Sequence, residues 1–210
     1  LLTPAKTYVD LLSSEEVGDL NENQREKLSQ IEDKFGDIEE LVQDMLDLSR
    51  IEADRIKAGD KSVSIGDILK DVIDDLKVDV EDKDHELTLE VSKDLPDIVG
   101  GPRLLEKVFR NLVSNAVQYT PEGGEIEVRA EPEEGAVHVT VSDNGPGIPE
   151  DEQDKIFDKF YRGGMESGEE SRGLGIGLSI TKHFVELHDG EITVESDEGE
   201  GTTFHVVLPV

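Results

Sequence analysis

The chain has 210 residues, 51 of them acidic against 21 basic, giving a formal net charge of −30, and it has no cysteine. That balance excludes generic binding to nucleic acid or to anionic membranes, and without thiols neither disulfides nor thiolate metal sites form. No apolar run nears the roughly 20 residues of a membrane span, so these residues are expected to be soluble, with membrane contact only through segments outside this sequence.

The length allows one or two domains. The acidity suits a well-solvated surface, or adaptation to high salt, where the Debye length falls to about 3 Å at 1 M. Stability measured against salt separates these, and a low-salt optimum contradicts the second.

From Leu1 to about Val17, apolar Leu1, Ala5, Tyr8 and Leu12 form a helical seam. No capping residue precedes Leu1, so the segment reads as the cut end of a longer helix. Gly18, Asp19 and Asn21 make a turn, with Asn21 or Asn23 as N-cap. Leu28, Ile31, Phe35, Ile38, Val42 and Met45 then keep a heptad rhythm, widened by Leu41 and Leu48, and predict a long helix over Glu22–Lys57. Two antiparallel helices cannot bury stripes this wide on each other. A four-helix bundle made by two chains through residues 1–57 buries them, and a hairpin lying on the rest of the chain is the alternative. Gly59, in Ala58-Gly59-Asp60-Lys61 with no large apolar residue, supplies a C-cap and a domain boundary, dividing the chain into 1–59 and 60–210.

Beyond it, strands and helices interleave. Ser62–Ile65 is a short strand, and Asp67–Val80 and Arg103–Val117 are helices. Strands with alternating apolar residues are expected at Leu87/Leu89/Val91, Ile126/Val128/Ala130 and Val137/Val139/Val141. A further helix ends near His188, and Ile192/Val194 and Phe204/Val206/Leu208 are the last strands. Strands apolar on one face only imply helices on one side of the sheet. The fold class is α+β: a helical hairpin, then a two-layer α/β sandwich.

Three stretches carry chemistry. On the helix Arg103–Val117, Lys107, Asn111, Asn115 and Gln118 fall on one line opposite the apolar face. Asparagine is a poor interior helix residue, so this line suits a polar ligand or a cation with oxygen ligands such as Mg²⁺, or is a plain solvated face. Asp143 follows a strand and precedes Gly145 and Gly147. It can accept a hydrogen bond from a ligand amine while the glycines admit close backbone approach, although Asp-Asn-Gly by itself is commonly a turn. Gly173, Gly175 and Gly177 open a helix whose N-terminal N–H groups can hold phosphate. The polar run Gly163–Arg172 between the last two reads as a lid. The Gly-x-Gly-x-Gly spacing is not a dinucleotide fingerprint, and no P-loop occurs.

In chain order these become specific. Asn111-Leu-Val-Ser-Asn115-Ala-Val-Gln-Tyr119, Asp143-Asn-Gly-Pro-Gly147, Phe157-Asp-Lys-Phe160-Tyr161-Arg162, Gly173-Leu-Gly-Ile-Gly177-Leu and Gly199-Glu-Gly201-Thr-Thr-Phe204 resemble the N, G1, F, G2 and G3 boxes of the sensor histidine kinase ATP-binding domain. The helical segment, with Leu46–Glu52 near its end, resembles that family's dimerisation and phosphotransfer hairpin.

The resemblance implies ATP and Mg²⁺, a homodimer, and a response-regulator receiver domain as partner. It implies a cytoplasmic location and puts Asp143 on the adenine amine, with Tyr119 lining the nucleotide pocket and Gly145, Gly147, Ile148 and Thr203 also binding the nucleotide. Asn111 would ligate Mg²⁺ and Asn115 would meet phosphate. Arg162 would approach the γ-phosphate, Gly173, Leu174, Gly175, Ile176 and Gly177 would cover the phosphates, and Tyr161 and Leu178 would also bind the nucleotide. Where the family often has Lys beside the tyrosine this chain has Gln118, and Lys107 or Arg172 are the candidate replacements. Related ATPases carry a water-activating Glu where Asn111 stands, which favours a kinase over a hydrolase. Leu1–Leu12 resembles the downstream part of the family's H box, placing the acceptor His upstream of Leu1. The five histidines here, His85, His138, His183, His188 and His205, all fall after the boundary, and His183 and His188 are expected to be structural. Without the acceptor, the residues given would bind ATP and dimerise but not autophosphorylate. Alternatives are a pseudokinase scaffold, or a serine kinase or ATPase of the same superfamily.

Overall fold

The computed structural model describes residues 2–14, 18–163 and 174–210. Helix α1 (Leu2–Ser13) and helix α2 (Glu22–Glu52) form the N-terminal pair. Asn21 caps α2 reciprocally. Its Oδ1 accepts from the Gln24 N–H and Gln24 Oε1 accepts from the Asn21 N–H, both at 2.9 Å, an arrangement worth about 1 kcal/mol. The helix stops at Glu52, short of the expected Lys57, because Asp54 turns to φ 52°. Gly59, expected as the C-cap, instead uses φ 97° to run beside Gly100 and Gly101.

The heptad stripe divides between two directions. Leu28, Phe35 and Leu48 are half-buried, whereas Ile31, Ile38, Val42 and Met45 are exposed. On α1, Val9 is buried and Tyr8, Leu11 and Leu12 are exposed.

The rest is layered. Strand β1 (Lys61–Val63) pairs antiparallel with β3 (Ile98–Gly100), a strand too short to show alternation in sequence. Between them lie α3 (Ile65–Asp75), α4 (Lys77–Asp82) and β2 (Glu86–Val91). The single helix expected over Asp67–Val80 thus breaks at Leu76. Helix α5 (Pro102–Tyr119) precedes the hairpin β4 (Glu125–Glu133) and β5 (Ala136–Asp143). The short helix α6 (Glu150–Gln153) and a 3₁₀ turn (Lys155–Phe157) follow, then α7 (Gly177–Leu187), β6 (Glu191–Asp197) and β7 (Gly201–Pro209).

The main sheet has the order β2-β4-β5-β7-β6, parallel only between β2 and β4. Its apolar residues, Ile126, Val128, Val139, Val141, Val206 and Leu208 among them, meet Leu105, Phe109 and Leu112 of α5 and Ile180 and Phe184 of α7 in one core. Helices cover one face of the sheet, as the alternation requires. His188 has the structural role expected of it: Nδ1 donates to the Phe184 carbonyl at 2.6 Å and Nε2 accepts from the Gly101 N–H at 3.0 Å.

Leu48, Ile51 and Ile56 pack on this core, and Lys107 joins the two parts. Its Nζ lies 2.8 Å from Asp44 and 2.6 Å from Asp47 of α2, with the lysine side chain 27% exposed and the carboxylates 13% and 10%. Burial pulls the Lys107 pKa down, and hydrogen bonds and attraction from Asp44 and Asp47 outweigh it, so the net shift is upward. The resulting stability is fully present below the unfolded lysine value of about 10.4 and is lost as pH rises through the higher folded value. Lys107→Met strands two nearly buried carboxylates and is expected to destabilise the fold by about 3 kcal/mol, the lower end for breaking a buried pair. Thermal unfolding at neutral pH checks this.

Candidate functional site

The site is built along α5. Glycine-free and amphipathic, the helix puts Leu105, Val108, Phe109, Leu112 and Val113 into the core and leaves Asn111, Asn115 and Tyr119 at its edge. Asn111 and Tyr119 stand about 12 Å apart at 1.5 Å of rise per residue. Each end has its own cluster.

At the C-terminal end, Asp143 closes β5, flanked in register by Ile126 of β4 and Thr202 of β7. Its Oδ1 accepts from the Gly145 N–H at 2.9 Å. Desolvation raises the Asp143 pKa, and hydrogen bonds from the Gly145 and Thr202 backbone N–H groups offset this only in part. A Cβ on Gly145 would sit 2.7 Å from Asp143 Oδ1 and 3.3 Å from the Tyr119 carbonyl, and one on Gly201 would strike the Asp143 carbonyl. These glycines let three chain segments converge on one carboxylate. Thr202 is its partner on the same face, whereas Thr203, expected at the base, points to the opposite face of the sheet because side chains alternate along a strand, and its Oγ1 lies 2.7 Å from Ser142 Oγ. Tyr119 is 40% exposed.

At the other end, Asn111 Nδ2 donates to Thr181 Oγ1 of α7 at 2.8 Å. This bond orients the amide with Oδ1 toward Gly177, where an added Cβ would lie 2.6 Å from it. An oxygen donor beside the first residue of α7 thus faces the N–H groups of that helix. Gly175, at φ 70°, packs on Tyr161 and Arg162, and its carbonyl accepts from the Phe160 N–H at 2.8 Å. Phe160 itself holds φ 65° while 62% exposed, a strained conformation for an aromatic residue. Tyr161 is hydrogen-bonded to Glu152.

Asn115 is half-buried between the clusters; Leu174 before α7 and Leu178 in its first turn are also half-buried, while Ile176 is buried in the core. Gly147 and Ile148 are drawn aside toward β6. Gly147 abuts Asp197, and the Ile148 N–H donates to Ser196 Oγ at 2.8 Å. The open concavity next to Ile148 is rimmed by Glu150, Asp151, Asp197 and Glu198, a poor lining for a polyphosphate. Gly173 and Arg172 lie outside the described residues, as does most of the expected lid. Lys107, the other candidate for the phosphate contact, is committed to Asp44 and Asp47.

Thr181 and Ser196 are not legible as site residues in the sequence, since a lone Thr or Ser on a helix or strand carries no signal.

Residues 100–210 match the model of the histidine kinase-, DNA gyrase B- and HSP90-like ATPases, and residues 2–54 match that of the His kinase A phospho-acceptor domain. The chain belongs to the sensor histidine kinases. Among curated relatives, it is 32% identical over 190 residues to the adaptive-response sensory kinase SasA of Synechocystis sp., covering 87% of this chain and 48% of that protein. The chain therefore spans about half the length of the curated relatives it matches. In structure it is similar to full-length ShkA in complex with AMPPNP, with a TM-score of 0.76 and 26% identity over 97% of this chain and 45% of that one. Histidine kinase ThkA in complex with response regulator protein TrrA shares the fold, with a TM-score of 0.70 and 21% identity over 99% of this chain and 58% of that one. The two parts of this kinase core correspond to the helical pair and the α/β layer. Among the described residues, no helix is long and apolar enough to cross a membrane.

Proposed function

We propose that residues 60–210 bind ATP with Mg²⁺ and pass its γ-phosphoryl group to a histidine upstream of Leu1, on the first helix of a dimerisation unit spanning 1–59. An aspartate of a response-regulator receiver domain is the onward acceptor, and the protein works in the cytoplasm.

The observation that carries this reading is the two-ended site along α5. A half-buried carboxylate at Asp143 suits an exocyclic amine. About 12 Å away, an amide oxygen and a helix N-terminus suit a cation and phosphates. That span matches a nucleoside triphosphate lying along the helix. Asp143 accepts from the adenine amine, with Gly145, Gly147, Ile148 and Tyr119 around the base. Asn115 meets the phosphates, which Gly173, Leu174, Gly175, Ile176, Gly177 and Leu178 cover.

The donors fit Mg²⁺, a hard cation that takes oxygen ligands: Asn111 already spends its nitrogen on Thr181 and has Oδ1 left to ligate. When bound, the cation offsets the negative charge of the transferring group. Arg162 approaches the γ-phosphate in this reading, supported by the packing of Tyr161 and Arg162 against Gly175 before α7. An amide at position 111 cannot take a proton from water, so hydrolysis stays slow and the phosphoryl group waits for the histidine.

The proposed specificity is testable by calorimetry. Guanine offers an acceptor where adenine offers its amine, so GTP should bind about a hundredfold more weakly than ATP, or worse. Equal affinities would contradict the placement of Asp143.

The exposed stripe Ile31, Ile38, Val42 and Met45, with Tyr8 and Leu12, supports a homodimer through residues 1–57. In the double variant Val42→Glu/Met45→Glu, each carboxylate buried at the interface costs at least about 2 kcal/mol. Analytical ultracentrifugation should then show monomers at concentrations where the parent chain is dimeric.

A further inference from the structure

The helix-free face of the sheet carries two histidines that the nucleotide site does not use. His138 on β5 is paired with Val207 of β7, and His205 is two residues from Val207, so the two imidazoles are diagonal neighbours on one face. His138 Nε2 and His205 Nδ1 are 3.2 Å apart. The ring centroids are 5.4 Å apart and the ring planes differ by 24°, so the rings meet end to end, nitrogen facing nitrogen. The other nitrogen of His205, Nε2, is buried and has no hydrogen-bond partner. The group facing it is the Glu195 carboxylate of β6, at 3.7 Å. Glu131 of β4 stands directly opposite His138 in the register.

An imidazole nitrogen buried without a partner is costly unless it has a use. The Glu195 charge, 3.7 Å away and too far for a hydrogen bond, favours the proton on Nε2 and leaves the Nδ1 lone pair for His138, and a small approach of Glu195 completes the carboxylate-histidine arrangement found behind metal ligands. The distance agrees with that use. Two nitrogens about 2.0–2.1 Å from one metal ion, in neighbouring coordination positions, are about 2.9–3.4 Å apart.

We propose that His138 Nε2 and His205 Nδ1 chelate a divalent transition-metal ion of the imidazole-preferring class, with Glu195 as the carboxylate behind His205. In the metal-free state one proton lies between the two nitrogens. On binding, the neutral His138 ring gives up its Nε2 proton and takes one at Nδ1 through solvent, so both ligands are neutral and no redox step occurs. The rings tilt about their terminal side-chain torsions, which are broad for histidine. Among the described residues no group of three or more His, Asp or Glu side chains is placed to hold a metal ion, so water completes the coordination. An open, two-nitrogen site follows the general affinity order, with Cu²⁺ above Ni²⁺ and Zn²⁺. The chelate ties β5 to β7, the strands that also carry Asp143 and Thr203.

Titration of the 210-residue chain with Cu²⁺ in excess Mg²⁺, followed by electron paramagnetic resonance and thermal unfolding, tests this. The Mg²⁺ occupies the carboxylates of an acidic surface. One Cu²⁺ per chain with nitrogen ligation and a raised Tm is expected. His138→Gln and His205→Gln should each abolish that signal, with far-UV circular dichroism of the metal-free variants unchanged. His183→Gln should keep the signal, and Glu195→Gln should weaken binding about tenfold. Absence of binding under excess Mg²⁺, binding that survives either substitution at the pair, or loss of binding in His183→Gln overturns the proposal.

Discussion

Asp143→Asn is expected to weaken ATP binding by about a hundredfold or more, and to leave the nucleotide-free protein as stable as before or more so. The two effects share one cause. The carboxylate is held where desolvation raises its pKa, so folding works against its charge. That cost is fully present above the folded pKa. It fades as pH falls through that value toward the unfolded value of about 3.9, below which both states are protonated. Asparagine removes it. The amide oxygen keeps the Gly145 N–H bond, which turns the NH₂ group toward the ligand. A donor then faces the adenine amine, and a charge-assisted hydrogen bond worth about 1.5–3 kcal/mol is replaced by a clash of donors. Calorimetric titration gives the affinity, and denaturation at several pH values gives the stability difference, which should narrow toward acid. Unchanged affinity would remove Asp143 from the site.

Asn111→Ala is the second large effect, and its readout is transfer rather than binding. Removal of a group that stabilises developing charge costs about a hundred- to a thousandfold in rate. The lost hydrogen bond to Thr181 costs about 1 kcal/mol of stability. A substitution that spares the ligand separates these. Thr181→Val leaves Asn111 in place but unoriented, and a positioning partner of this kind is worth about tenfold. Phosphoryl transfer by the chain extended upstream of Leu1 should therefore fall far more in Asn111→Ala than in Thr181→Val. Equal losses would make Asn111 a structural residue.

The parts of the fold that were legible in the sequence are those with a period. Val137, Val139 and Val141 alternate and form β5, and the spacing through Leu105, Phe109 and Leu112 foretold α5. Elements too short to repeat were missed. Strand β3 has three residues and α6 has four. Helix ends were misplaced where an aspartate turned the chain left-handed, as Asp54 does after α2.

In the site, the glycine boxes and the polar line on α5 were readable because their chemistry is local. Contacts between distant segments were not. Lys107 looked like part of the polar line, yet its partners lie some 60 residues earlier on α2. Likewise, nothing in sequence couples Asn111 to Thr181, 70 residues on. The outward half of the heptad stripe, Ile31 to Met45, became distinguishable from the inward half only once α1 and the core had taken their sides.

The central claim is that this site donates phosphate to histidine. The most direct test incubates the chain, extended upstream of Leu1 through the expected acceptor, with Mg²⁺ and γ-phosphate-labelled ATP. The account predicts protein-bound label that is stable to alkali, labile to acid, and absent in Asp143→Asn. Release of inorganic phosphate with no protein-bound intermediate, or an acid-stable label on serine, would contradict it.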